Sequence, residues 1–353
     1  MSASVGTVPV GGDLTRGGIT GTLLRFTLPM IAGALLQQCY NIADTLIVGR
    51  FVGAGALAAV GSAYTLMVFI VSIMLGLSMG SGTVFSLRRG AGDCDGLRRG
   101  VFVAFVLIGA VAVVLNVAAL LWLDAILGWL HVPADVYPLM RVYTRVVLYG
   151  MMAVFVYNFF ASLLRAVGDS FTPLLFLGVS VTLNIGLDLL FILVWERGVS
   201  GAAEATVLSQ SVAAAGIWIY VRIRRPELLP RRSDMRIRHN DLREIAAFSS
   251  LTCVQQSVMN FGILMVQGLV NSFGTATMAA FAAGVKIDSL CIYACAGVRQ
   301  CVFHIRGAEF RSRAAWTYSS RNPSCRGVGS GVFHSGIGAR IPVCRRSDRH
   351  IRA

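Results

Sequence analysis

The sequence predicts an all-α integral membrane protein. Two features of composition and one of pattern point there. Hydrophobic residues fill 56% of 353 positions and charged residues only 14%, whereas a soluble domain carries about 25% charge. Mean hydropathy is +0.70. Apolar stretches near the ~20 residues needed to cross a bilayer recur along the chain. The lipid bilayer is therefore the expected environment. The start of the chain does not resemble a cleavable signal. Residues 1–22 are polar and Gly-rich, and the first apolar stretch is too long for a signal-peptide core.

The elements follow in order. Apolar spans are predicted at about 23–47, 57–84, 101–123, 138–163, 171–195, 200–221 and 245–272, and an eighth begins near 276. Pro29 lies within the first span, where it should kink the helix or free a carbonyl. Gly76, Gly80 and Gly82, with Ser78 and Ser81, give the second span a small-residue face suited to close helix packing in lipid.

Basic residues orient the spans. Arg16 precedes the first span and Arg25 begins it. Arg88, Arg89, Arg98 and Arg99 follow the second, and Arg165 follows the fourth. After the sixth come Arg222, Arg224, Arg225, Arg231, Arg232, Arg236, Arg238 and Arg243. The alternate loops hold only Arg50, no basic residue over 124–137, and Arg197. The N-terminus and the 222–243 linker should therefore be cytoplasmic. That linker reads as a solvated, topology-setting loop, with an anionic-lipid site as the alternative. Arg141 and Arg145, near the outer end of the fourth span, should snorkel.

The net charge of +14 would suggest nucleic acid in a soluble protein. Here most of it is local. Residues 291–353 hold eleven Arg against only Glu309 and Asp348, with five of the eight Cys. This excludes a charged nucleic-acid face spread over the protein, and no nucleic-acid partner is expected. Shifting the sequence by 221 lays 51–60, FVGAGALAAV, over 272–281, SFGTATMAAF. Residue 245 thus reads as the start of a second copy of the fold that begins at 23.

Polar residues inside the spans carry the functional signal. Asp44 lies late in the first span, in YNIADTLIVG. Asn184 and Asp188 interrupt the fifth, four residues apart and so on one helix face. Thr206 lies in the sixth, in GAAEATVLSQ. A charge at the centre of a spanning helix costs roughly 2.5–3.5 kcal/mol on insertion scales, so such residues are functional candidates. Low dielectric disfavours a bare carboxylate, which suits a proton relay. Structural alternatives stand beside each. Asp44 could be solvated at the interface. Asn184 and Asp188 could simply join helices by a hydrogen bond. Thr206 could bond its own helix backbone, and Glu204 could be interfacial.

Several stretches together resemble the multidrug and toxic compound extrusion (MATE) family. They are LPMIAGALLQQCYNIADTLIVGRFVGAGALAAVG from 28, GAGD at 90–93, LLRAVGDSFTPLLF at 163–176, LNIGLDLLF and GVSGAAEATVLSQ. The resemblance covers about residues 20–290, in order. It implies a fold of twelve helices in two six-helix lobes, of which this chain holds the N-lobe and the first helix or two of the second. It implies export of organic cations in exchange for H⁺ or Na⁺, with no cofactor beyond that coupling ion. In the family, the positions matching Asp44, Asn184, Asp188 and Thr206 form a cation or proton site, and the position matching Pro29 is where the first helix bends. A monomer in a bacterial inner membrane is expected. No nucleophile–base pair or metal motif points to an enzyme.

The resulting organisation is a cytoplasmic N-terminus (1–22), an N-lobe (23–221), a basic linker (222–243), the start of a C-lobe (244–290) and a tail (291–353). The resemblance stops after Ser289. Cys291, Cys295, Cys301 and His304 match no recognised metal spacing. Instead, 293–313, YACAGVRQCVFHIRGAEFRSR, can be back-translated and read one nucleotide later as MPVQEFGNAFSTFVAQNFGAG. The hidden GAG falls 221 positions past Gly90, Ala91 and Gly92, the same offset as the repeat. The tail is expected to be a frameshift product, with the slip near 289–292. Alternative functions are a non-transporting fragment of a damaged gene and a lipid-linked-sugar flippase.

Overall fold

The computed structural model describes residues 19–231, 234, 238–282, 284 and 285. The tail, with Cys291 to His304 and the proposed frame slip, lies outside the described residues. So does most of the 1–22 segment.

The described residues form helices joined by short turns: α1 (Ile19–Phe51), α2 (Ala54–Gly90), α3 (Cys94–Leu121), α4 (Leu123–Trp129), α5 (Tyr137–Tyr149), α6 (Met151–Ala166), α7 (Phe171–Leu189), α8 (Gly198–Arg224) and α9 (His239–Asn271). A further helix occupies 275–282. Five of these, α2, α3, α7 with its extension to Val194, α8 and α9, are long and apolar enough to cross a membrane. The pair α5–α6 makes a sixth, bent by 50°. α1 is long enough, but Gln37, Gln38, Asn41 and Asp44 dilute its apolar content.

Each sequence-predicted span through 272 is helical, with two departures in detail. The span expected at 138–163 is broken at Gly150. A Cβ there would sit 2.7 Å from Val207 Cγ2. The Val207 side chain of α8 fills that place, and Gly150 lets the chain turn around it. The end of the fifth span widens into a π-helical turn, Leu190–Val194. Such turns insert an extra residue into the helical ladder. α1 runs through Pro29 as helix; Pro29 has no N–H for the carbonyl four residues back.

The GAGD and VGDS motifs are the same local device used twice. Gly92 and Gly168 take φ of +74° and +93°, a region open to glycine. Each closes a helix, and the following Asp starts the next. Asp93 accepts from the Gly96 N–H at 2.8 Å, capping α3. Asp169 accepts from the Thr172 N–H at 3.0 Å and from its hydroxyl at 2.7 Å, tying down the start of α7.

α8 is the central post of one side, packed on α5, α6 and α7, while α1 lies against α7. The most extensive packing among the described residues joins α2 to α9. Gly76 and Gly80 bring the two backbones together there. A Cβ on Gly80 would lie 2.5 Å from Ser249 Cα, and one on Gly76 2.6 Å from Cys253 Cα. The small-residue face of the second span thus has its partner, the first helix after the linker.

Arg141 does more than snorkel. It grips Asp124 with two bonds, 2.6 Å from Nε and 3.0 Å from Nη2. Those bonds and one from the Tyr137 hydroxyl lower the Asp124 carboxyl to about 2. Glu204 is paired with Arg197 near the start of α8.

Candidate functional site

Three of the four sequence-predicted site residues meet directly, between α7 and α8. Asn184 and Asp188 have no solvent exposure, and Thr206 is 8% exposed. With its amide nitrogen facing Asp188, Asn184 donates to Asp188 Oδ2 at 2.9 Å and accepts from the Thr206 N–H at 3.3 Å. Thr206 therefore reaches across to a neighbouring helix as well as bonding within its own. Its hydroxyl also accepts from the Tyr40 O–H at 3.2 Å, which brings α1 to the cluster.

Asp44, four residues after Tyr40 on α1, is buried too, so it is not a solvated interfacial group. Asp44 and Asp188 lie within electrostatic reach of each other and of the phenols of Tyr40 and Tyr143. Pro29 stands apart. It lies fifteen residues before Asp44 on α1, about 22 Å along the axis at ~1.5 Å per residue.

The composition of this cluster decides its chemistry. Two carboxyl groups are enclosed together. Asp188 makes no ion pair with a basic residue among the described residues, and its Oδ1 has no hydrogen-bond donor among them. A bare carboxylate in such surroundings is strongly disfavoured. The oxygens of Asp188, Asp44, Thr206 and Asn184 are donors suited to a hard monovalent cation, and either carboxyl can carry a proton instead.

Gln210 on α8 also hydrogen-bonds the Tyr40 hydroxyl; Tyr40, Tyr143 and Gln210 carry no functional signal of their own in the sequence. Tyr40 precedes Asp44, and Gln210 follows Thr206, by one helical turn, so the i, i+4 rule applied to the two known positions finds both. Tyr143, on α5, offers no such signal.

Residues 29–190 match the family model MatE. Over that stretch the chain is a member of the MATE family. The probable multidrug resistance protein YpnP of Bacillus subtilis is 30% identical over 278 residues, covering 79% of this chain and 62% of that protein. The probable multidrug resistance protein NorM of Thermotoga maritima is 27% identical over 277 residues, covering 76% and 58%. The chain thus spans about 60% of the length of these curated relatives. An outward-facing multidrug resistance MATE family transporter of the MOP superfamily matches in structure, with a TM-score of 0.82 and 24% identity. That match covers 92% of this chain and 72% of the other, and it shows the MATE fold. The protein is a multi-pass membrane protein with transporters, not enzymes, as relatives.

Proposed function

We propose that this chain carries the N-lobe of a multidrug antiporter that exports cationic amphiphiles in exchange for H⁺ or Na⁺. In this reading Asp188 and Asp44 bind the coupling ion, Asn184 and Thr206 position it, and Pro29 lets α1 bend in response. The observation that carries the reading is Asp188. It is fully buried, hydrogen-bonded to Asn184 on one oxygen, and without a basic partner among the described residues. A carboxyl kept there at such cost suits reversible neutralisation by a cation. The names of the relatives supply the multidrug substrate class.

The lobe arrangement follows from the same reading. Residues 23–221 form the N-lobe, 222–243 link it on the cytoplasmic side, and α9 opens the C-lobe. The protein sits as a monomer in a bacterial inner membrane with its N-terminus cytoplasmic.

The test uses the chain with its reading frame restored near codon 290, in a host lacking its own efflux pumps. Asp188→Asn keeps the size of the side chain and removes its charge. Ion-gradient-driven efflux of a fluorescent organic cation should be lost while membrane insertion persists. Asp44→Asn should behave similarly. Efflux at the parental rate in Asp188→Asn would assign the residue to packing.

A further inference from the structure

Arg141 and Arg145 lie one turn apart on α5, and among the described residues only Arg141 has a carboxylate. It takes Asp124, 2.6 Å from Nε and 3.0 Å from Nη2. Arg145 instead donates from Nε to the Tyr149 hydroxyl at 3.3 Å. Its two Nη groups have no hydrogen-bond or ion-pair partner among the described residues. Arg145 and Tyr149 are both exposed, on the α5–α6 pair that makes a bent membrane span. A guanidinium on a spanning segment is costly unless a partner or the headgroup region meets its charge.

These residues share a cavity. Asp124, Arg141, Arg145 and Tyr149, with Leu120 and Leu123 as an apolar wall, line a volume of about 170 Å³. A drug-sized ligand takes roughly 300–1,000 Å³, so the cavity suits something smaller. It lies where the membrane-crossing α3 ends and α4 begins. Trp122, between the two wall leucines in sequence, is 64% exposed, and exposed Trp and Tyr mark the level of lipid headgroups. Leu121, Val117 and Val113 continue from there along α3 as an exposed apolar row at four-residue spacing.

The charges decide what fits. Two guanidinium groups and one carboxylate leave a net positive charge, centred on Arg145. The Tyr149 hydroxyl accepts from Arg145 and can still donate. Guanidinium and phenol together suit a phosphate diester. Asp124 offers the opposite polarity beside them. Its Oδ1 accepts from Arg141 Nε and from the Tyr137 hydroxyl at 2.8 Å, whereas Oδ2 accepts from Arg141 Nη2 alone. Each carboxylate oxygen can accept two bonds, so Oδ2 can take one more N–H.

We propose that this cavity binds the headgroup of a phospholipid carrying a primary ammonium. The phosphate sits on Arg145 and Tyr149, the ammonium on Asp124 Oδ2, and an acyl chain runs along the α3 row. The inference needs only that the chain spans a membrane, so it stands or falls apart from the coupling-ion reading.

Native mass spectrometry of the purified, delipidated chain in detergent tests it. The probes are short-chain phosphatidylethanolamine, phosphatidylcholine and phosphatidylglycerol, and inorganic phosphate. Phosphatidylethanolamine should bind saturably, one per chain. Phosphatidylcholine has the phosphate but no N–H, and should bind about tenfold more weakly. Arg145→Gln should weaken phosphatidylethanolamine binding by about tenfold or more, and Asp124→Asn should bring it down to the phosphatidylcholine level. Arg50→Gln, which removes an exposed charge elsewhere, should change nothing. Arg145 is outside the Asp124–Arg141 pair, so its variant carries the test even if Asp124→Asn fails to fold. Equal affinity for all three lipids, or parental binding by Arg145→Gln, would mean that Arg145 only reaches for water and would overturn the proposal. So would an equal loss in Arg50→Gln, which would reduce binding to diffuse charge. Displacement of the lipid by millimolar inorganic phosphate would make this a site for a free anion and would also overturn it.

Discussion

Asn184 and Asp188 stand one turn apart on α7, both sealed from solvent, and the Asn184 amide donates to Asp188 Oδ2 at 2.9 Å. One oxygen of the carboxyl is thereby fixed, and the other has no hydrogen-bond donor among the described residues. Thr206 anchors the opposite side of the amide through its N–H.

Thr206→Val should weaken the cluster without emptying it. The substitution keeps the shape and removes the acceptor of the Tyr40 hydroxyl at 3.2 Å. A loss of about 0.5–1.5 kcal/mol is expected, seen as a lower unfolding temperature of the purified chain. Thr206→Ser, which keeps the hydroxyl, should melt near the parent. Equal melting of Val and Ser variants would show that this bond contributes nothing.

Gly80→Ala should be among the costlier methyl additions in the protein. Its Cβ would lie 2.5 Å from Ser249 Cα and from the Phe248 carbonyl oxygen, and neither backbone can yield locally. About 1–3 kcal/mol of destabilisation is expected from overpacking. Gly262→Ala, where nothing lies within 4 Å, should be neutral or stabilising by up to ~1 kcal/mol. Thermal unfolding of both variants separates close packing from simple helix propensity.

The spans were legible because burial in lipid demands long apolar runs, and each such run through 272 is a helix. The break at Gly150 was not. It depends on Val207, more than fifty residues away, and nothing apolar in MMAVF announces it. The small face of α2 was equally plain, but its partner α9 is a property of packing. At the site, Asp44, Asn184 and Asp188 announced themselves as polar groups in apolar surroundings. Tyr40 and Tyr143 did not, because a phenol passes for an aromatic core residue until its hydroxyl finds a partner. In the sequence, GAGD and the stretch LLRAVGDSFTPLLF that contains VGDS are legible only as family-like segments. The structure makes them positive-φ glycines followed by an aspartate that starts a helix.

The proposed membrane orientation predicts opposite labelling of two exposed loop positions. With native cysteines replaced, His131→Cys should react with a membrane-impermeant maleimide in intact cells. Arg231→Cys should react only after permeabilisation. The reverse pattern would invert the topology.

The tail prediction is read from nucleic acid. Across codons 285–315, the frame one nucleotide later should stay open and encode the GAG that pairs with Gly90 to Gly92. An early stop there, or a different tripeptide, would make residues 291–353 a genuine basic extension.

The most direct measurement is ion release on substrate binding. The purified protein, with the proposed frame slip near codon 290 reversed, is mixed with an organic cation in weakly buffered solution, with proton release and displacement of bound radioactive sodium both recorded. Binding should release one of these ions from the parent protein, and Asp188→Asn should bind the cation with that release abolished. Equal release from the parent and from Asp188→Asn would contradict the assignment of Asp188 as the coupling site.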